Sequence, residues 1–286
     1  MDSTSILAAC ETHLETFKST LSDCAAYENK GIFHSELLAF VSIASTLGCD
    51  QIIESGRARG QSTEVIGRFF NRQGVRFESI EFDRWSPDVQ TAAARLADLE
   101  GSITLHFGDA VKLVPRLADG SSIIVLIDGP KGFEALALAG VALGIPAVKA
   151  VAIHDLPQDS QAERHLTEDC GLATWFTDEP DFVDRFQQLD DPCWQALKAI
   201  PETADWAPYR RGTQSKRSYS STLGFVFPPG SAPQRREAAE ALTRRARRML
   251  REHRSKGSLV GRIAPALPSA LRQSRIYRRF AERVSR

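Results

Sequence analysis

Ile52-Ile53-Glu54-Ser55-Gly56-Arg57-Ala58-Arg59-Gly60-Gln61-Ser62-Thr63 is the stretch whose reading decides the fold. Two β-branched residues lead into an acid, a glycine-bounded turn follows, and an amphipathic run comes next. That order predicts a strand, a tight loop and a helix. Open α/β sheets bind nucleotide-like groups at such junctions, at the carboxyl ends of their strands. Gly56 and Gly60 let the backbone turn sharply and approach a ligand with no Cβ between. The amides that open the next helix can face polar or anionic groups. The dinucleotide fingerprint spaces its glycines G-x-G-x-x-G. Here Arg57, Ala58 and Arg59 separate Gly56 from Gly60, so that spacing fails and a nicotinamide-dependent dehydrogenase is disfavoured.

Further strands follow at intervals that suit alternating strands and helices. Residues 76–83 predict a second strand ending in acids, and Glu81 lies 21 residues after Gly60. An acid about 20 residues beyond a glycine-rich loop commonly accepts hydrogen bonds from ribose hydroxyls; Asp83 is the alternative. Residues 103–110 predict a third strand running into Gly108-Asp109-Ala110, where Asp109 suits a helix N-cap. Residues 121–127 are a continuous apolar run, the pattern of a central strand buried on both faces. It ends at Asp128-Gly129-Pro130-Lys131-Gly132, a turn that directs Asp128 into the crevice. Residues 148–153 predict a fifth strand ending in His154-Asp155, so three titratable groups converge from neighbouring strand ends. With strands at 172–177 and 221–227, the pattern predicts a Rossmann-like, doubly wound, mostly parallel seven-stranded α/β sheet with helices on both faces.

The acidic-x-Gly-x-x-x-Gly pattern of Glu54, Gly56 and Gly60 resembles the first motif of class I S-adenosylmethionine-dependent methyltransferases. Asp128-Gly129 and His154-Asp155 resemble the small-molecule and sugar O-methyltransferase subgroup within it. That subgroup includes macrocin and rhamnosyl O-methyltransferases, with cephalosporin-hydroxylase-like relatives. The resemblance spans about residues 32–227. It implies S-adenosylmethionine as cofactor, with Glu54, Gly56, Gly60 and Ser62 at its methionine end, Glu81 on the ribose and Asp109 at the adenine amine. It implies that Asp128, His154 and Asp155 carry the chemistry. Asp128 and Asp155 would hold Mg²⁺, and His154 would be a base or a further ligand. Methyl transfer to a hydroxyl needs a nucleophilic oxygen, supplied by a base or metal, held in line with the methyl. The implied acceptor is a small molecule or a glycan sugar. Ala58 stands where the family often has a third glycine, which keeps a non-catalytic binding module as an alternative.

Length and charge organise the rest. The 286 residues suit one α/β domain with additions: a helical segment at 1–49, a cofactor-binding domain at 50–230 with an insertion at 180–219, and a basic helical extension at 231–286. Residues 1–49, with Leu37, Leu38, Phe40, Val41 and Ile43, suggest a helix packed against the sheet. Five scattered cysteines and no C-x-x-C pair point away from a zinc or disulfide framework and towards a reducing, cytoplasmic setting. The amino terminus shows no secretory pattern. The apolar stretch 135–148, about 14 residues, is too short to span a bilayer.

The net charge of zero conceals an asymmetry. From Ala232 onward fall 16 of the 36 Lys/Arg and 4 of the 36 Asp/Glu, a balance of +12, which leaves −12 on the remainder. In the helical pattern 234–254, Ala238, Leu242, Ala246, Met249 and Leu250 share a face and arginines crowd the others. Such a helix can cover its own acidic body, join a homo-oligomer, or lie on an anionic membrane surface through residues 234–286. A nucleic-acid methyltransferase using the basic tail is a further alternative; the acidic body argues against nucleic acid, as does the lack of an Asn/Asp-Pro-Pro-Tyr/Phe motif after strand four. The insertion carries Trp194, Trp206 and Tyr209 beside Arg210, Arg211, Lys216 and Arg217, a composition suited to a lid or a sugar-binding wall.

Overall fold

The computed structural model describes residues 1–28, 31–71, 73–158, 160–202, 207–208, 218–219 and 222–263. The chain runs α1 (Ser3–Ser22), α2 (His34–Thr46), β1 (Gln51–Ser55), α3 (Gln61–Phe70), β2 (Arg76–Glu81), α4 (Asp88–Arg95), β3 (Ile103–Phe107), α5 (Ala110–Leu117), β4 (Ile123–Ile127), α6 (Gly132–Leu143) and β5 (Val148–His154). It continues through α7 (Gln161–Arg164), β6 (Ala173–Phe176), α8 (Pro180–Phe186), α9 (Asp191–Lys198), a two-residue pair β7 (Ala207–Pro208) and β8 (Ser218–Tyr219), β9 (Leu223–Phe227) and α10 (Ala232–Ile263).

The seven main strands form one sheet in the order β3-β2-β1-β4-β5-β9-β6. All neighbours are parallel except β9, which runs antiparallel to both β5 and β6. This is the expected doubly wound, mostly parallel α/β sheet. Residues two apart along a strand share a face. Ile52, Ile124, Leu126, Ala150 and Ala152 accordingly join the core beneath α1, α2, α3 and α8. Ile53, Val125, Ile127, Val151 and Ile153 join the core beneath α5, α6 and α10. Both faces of β1 and β4 are covered, so both strands are buried throughout and read as unbroken apolar runs.

The segment before β1 and the segment after β9 both pack onto this body. In α2, every residue from His34 to Ala44 is buried. α10 lies along α6, burying Ala238, Ala239, Leu242 and Ala246. The two helices approach closely because Gly140 has no side chain: a Cβ there would sit 2.4 Å from Thr243 Oγ1 and 3.0 Å from the Ala239 carbonyl oxygen. Arg235 fixes the start of α10. Its Nη1 lies 2.9, 2.6 and 3.0 Å from the carbonyl oxygens of Ile145, Pro146 and Val148, so it caps the loop that follows α6. The first part of this helix, from Arg235 to Ala246, is thus docked on the sheet-covering layer. The second apolar cluster expected at Leu271, Ile276, Tyr277, Phe280 and Val284 lies outside the described residues, as do Trp206, Tyr209, Arg210, Arg211, Lys216 and Arg217. Among the described residues no helix is long and apolar enough to cross a membrane.

Candidate active site

Parallel register sets the site. Ser55 of β1 is level with Ile127 of β4 and Ile80 of β2, and Ile127 is level with Ile153 of β5. The next residues along, Gly56, Asp128 and His154, therefore emerge side by side at the carboxyl edge. The β1 and β4 turns touch. The amides of Asp128 and Gly129 donate to the Ser55 carbonyl at 2.8 and 2.9 Å, and Ser55 Oγ donates to the Gly129 carbonyl. Gly56 has φ +96°, and a Cβ there would lie 2.3 Å from the Gly129 nitrogen. Only glycine fits this approach.

A cavity of about 650 Å³ opens along this edge, within the usual range for small-molecule and cofactor sites. Ser55, Gly56, Gly129 and Pro130 line one part of it, Glu81 and Phe82 another, and Asp109, Ala110 and Val111 a third. Glu81 caps β2 and holds the glycine-rich loop: its Oε2 accepts from the Ala58 amide at 2.8 Å and its Oε1 from the Phe82 amide at 2.9 Å. The Asp83 amide also donates to Oε1 at 3.3 Å, so of the roughly four acceptor directions of a carboxylate about one is left for a ligand hydroxyl. Asp109 caps α5 by accepting from the Val111 amide at 3.0 Å, and its other oxygen lies 3.8 Å from Lys112 Nζ. Gly56, Glu81 and Asp109 thus line one cavity.

Glu54, Gly60 and Ser62 are placed differently. The Glu54 carboxylate is fully buried under the loop and accepts from Ser62 Oγ at 2.5 Å, Thr63 Oγ1 at 2.5 Å and Ser79 Oγ at 2.6 Å. Burial pushes its pKa up, and the three hydroxyls oppose that. Glu54 and Ser62 satisfy each other inside the protein and do not line the cavity, so they brace the loop from behind. Gly60 opens α3 with φ +78°. Ala58 adopts φ +44°, a conformation that costs a residue with a Cβ about 1–2 kcal/mol. The loop therefore keeps the shape a third glycine would adopt.

Beside the cavity, Asp128 and His154 meet a lysine that the pattern of acids did not reveal. His154 Nδ1 lies 2.6 Å from Asp128 Oδ1. Lys131 Nζ lies 2.6 Å from the same oxygen and 2.7 Å from Asp155 Oδ2. Asp155 has φ +60°, which turns its carboxylate back onto Lys131. Behind His154, Glu36 of α2 is fully buried, with Oε2 3.8 Å from His154 Nε2 and 2.9 Å from the Phe33 amide, which it accepts. Glu36 Oε1 and His154 Nε2 are both buried without a hydrogen-bond partner.

The charges follow from this packing. Burial pushes the Glu36 carboxyl up to about 8, outweighing the nearby imidazole. Burial disfavours a charge on His154, but Asp128 and then Glu36 outweigh it and lift the imidazole to about 9. Burial raises Asp128, and His154 and Lys131 more than reverse this, leaving its pKa below the usual value. At neutral pH Glu36 is therefore mostly neutral, Asp128 is ionised and Lys131 is an ammonium, and the neighbouring acids favour the charged form of His154.

This donor set corrects the metal expectation. The Lys131 ammonium sits between the Asp128 and Asp155 carboxylates, where Mg²⁺ was expected, and a cation there would meet a positive charge rather than a third oxygen. Among the described residues no group of three or more His, Cys, Asp or Glu is arranged to hold a metal. Lys131 was legible only as part of the Asp-Gly-Pro-Lys turn. Glu36 could have been flagged as the lone acid of α2, directly before the apolar run Leu37–Val41. In the insertion, Trp194 is no free sugar platform, because its ring packs edge-on against Phe33 with centroids 5.0 Å apart.

No family model matches the chain, and no curated protein matches it in sequence. Solved structures do resemble it. One is the O-methyltransferase TomG from Streptomyces achromogenes, involved in tomaymycin synthesis and solved with S-adenosylmethionine. It is 19% identical, covers 80% of this chain and 92% of its own, and has a TM-score of 0.41. Another is an O-methyltransferase from Bacillus cereus in complex with S-adenosylhomocysteine, at 14% identity, 77% and 90% coverage and a TM-score of 0.38. A third, provisionally assigned as an RNA methyltransferase, is from Pyrococcus horikoshii, at 14% identity, 58% and 87% coverage and a TM-score of 0.42. These likenesses are distant, and the site stands on its own geometry.

Proposed function

We propose that the chain is a class I S-adenosylmethionine-dependent methyltransferase that methylates a hydroxyl oxygen of a small molecule or a glycan sugar. The observation that carries this reading is the pairing of two features across the β4 turn. On one side is a cofactor-sized cavity floored by the Gly56–Gly129 contact and rimmed by Glu81 and Asp109. On the other is the Asp128–His154–Lys131–Asp155 cluster. The close contact of the Gly56 and Gly129 turns leaves their backbone as the floor of that cavity, and acids at the ends of β2 and β3 suit ribose hydroxyls and an adenine amine.

When bound, the cofactor supplies an electrophilic methyl on sulfur. The chain's part is to place the acceptor hydroxyl in line and take its proton. Asp128 and Asp155 can each accept a hydrogen bond from the hydroxyl in place of Lys131. His154 takes the proton once it has lost its own. Lys131 neutralises the two carboxylates so that neither drives the other out of the site. Mg²⁺ plays no part in this reading.

Calorimetric titration of the protein with S-adenosylmethionine and S-adenosylhomocysteine tests the cofactor assignment. Micromolar binding, weakened in Glu81→Ala, is expected; an absence of heat and of thermal stabilisation would favour a non-catalytic binding module. Replacing Asp128 by Ala should abolish turnover on a responsive sugar or small-molecule acceptor while the fold persists. A second reading concerns location. α10 gives its apolar face to α6 and turns Arg236, Arg244, Arg248 and Arg251 outward, which supports a purely electrostatic, salt-sensitive contact with anionic lipid. Sedimentation with phosphatidylserine vesicles at low and high salt tests it.

A further inference from the structure

The cavity has a side that the sheet does not build. Beyond Asp109, its wall is formed by Glu134, Ala137 and Val141 of α6 and by Arg247 and Leu250 of α10. We propose that the basic C-terminal helix is a working part of the nucleoside site: Leu250 closes its apolar side, and the Arg247 guanidinium lies over the adenine base. This rests on the cofactor assignment above and extends it to an element far from the glycine-rich loop.

The helix is held firmly enough to serve as a wall. Arg235 anchors its start on the carbonyls after α6, Gly140 lets it pack backbone to backbone, and Arg245 meets Asp169 at 3.5 Å. With Ala246 buried beneath it, the position of Arg247 along the cavity is set by packing.

Arg247 also differs from its neighbours in what it touches. Arg244 pairs with Glu240 at 3.2 Å and Arg248 with Glu252 at 2.9 Å. Among the described residues no carboxylate pairs with Arg247, although it faces a cavity lined by Glu81 and Asp109. A guanidinium beside the aliphatic side chains of Ala137, Val141 and Leu250, on a wall that also carries Glu134, suits a flat, electron-rich ring, whose face attracts the cation while its edges meet the aliphatic walls. The purine lies on this side because Asp109, the acid suited to its amine, begins the same wall.

The test is calorimetry on the full-length protein with two probes, S-adenosylhomocysteine and adenosine, comparing Arg247→Ala with Arg248→Ala. Both sites are exposed, and alanine is a good helix former, so neither variant should melt earlier. Loss of a partly desolvated cation–ring contact is expected to weaken both probes by the same factor, about three- to thirtyfold, in Arg247→Ala only. Wild-type affinity in Arg247→Ala would overturn the proposal. So would an equal loss in both variants, which would report the helix's general charge. Failure of the unaltered protein to bind S-adenosylhomocysteine would overturn the cofactor assignment itself, and this inference with it.

Discussion

Replacing Glu36 by Gln should make the protein more stable, and increasingly so as the pH rises. Glu36 is fully buried and titrates at about 8 in the folded chain, against 4.5 for an ordinary glutamate. Because its folded pKa is raised, the native state retains a proton that the unfolded chain releases between those values, and stability falls as pH rises through that window. At pH 7 the unfolded group lies 2.5 units above its pKa. At about 1.4 kcal/mol per unit, holding the proton costs about 3 kcal/mol, growing to about 5 kcal/mol above pH 8. Glutamine has the same shape and can still accept from the Phe33 amide, but it has no proton to hold. Denaturant unfolding of both proteins at pH 4.5, 6, 7 and 8 gives the difference directly. It should be near zero at pH 4.5 and reach a few kcal/mol at pH 8. A difference independent of pH, or a variant less stable at pH 8, would refute a protonated Glu36.

Three further outcomes follow from the site. His154 is raised to about 9, so kcat/KM should climb from pH 7 towards 9 and the climb should vanish in His154→Gln; a flat wild-type profile over that range would remove His154 as proton acceptor. Lys131→Ala should abolish turnover and leave Asp128 and Asp155 facing an empty position. Mg²⁺ should then raise the melting temperature of the variant and not of the wild type, and the same Mg²⁺ response in both would show that Lys131 does not occupy a cation's place. Ala58→Gly should stabilise by about 0.5–1 kcal/mol, read by chemical denaturation, because relief of the positive-φ strain exceeds the added flexibility of the unfolded chain; a loss of stability would count against strain at Ala58.

What the sequence revealed and what it hid divide along a physical line. Strand ends are local: an apolar run followed by Asp128 or His154 shows where the chain leaves the sheet, and parallel register then brings those ends together. Gly56 was legible because the turn's geometry restricts it to glycine. Glu54 was legible as a strand-end acid, but its bonds to Ser62, Thr63 and Ser79 depend on how α3 settles on β1 and β2, and no pattern shows whether an acid faces a ligand or a neighbouring hydroxyl. Lys131 escaped because a lone lysine in a turn looks like any solvated cation until Asp155, 24 residues on, adopts a left-handed backbone and closes on it. Glu36 and His154 are separated by 118 positions, and only packing of α2 beneath β5 makes them a pair.

The position of β9 bears on how the protein is made. Among the described strands β6 touches the sheet only through β9, so during synthesis the strand Ala173–Phe176 has no edge to join until Leu223–Phe227 has left the ribosome. Until then β5 presents a bare, apolar edge, a template for pairing with other nascent chains. The five residues that close this gap carry one of the highest demands in the chain for timely arrival. Ribosomal pausing between residues 177 and 223 should therefore raise aggregation.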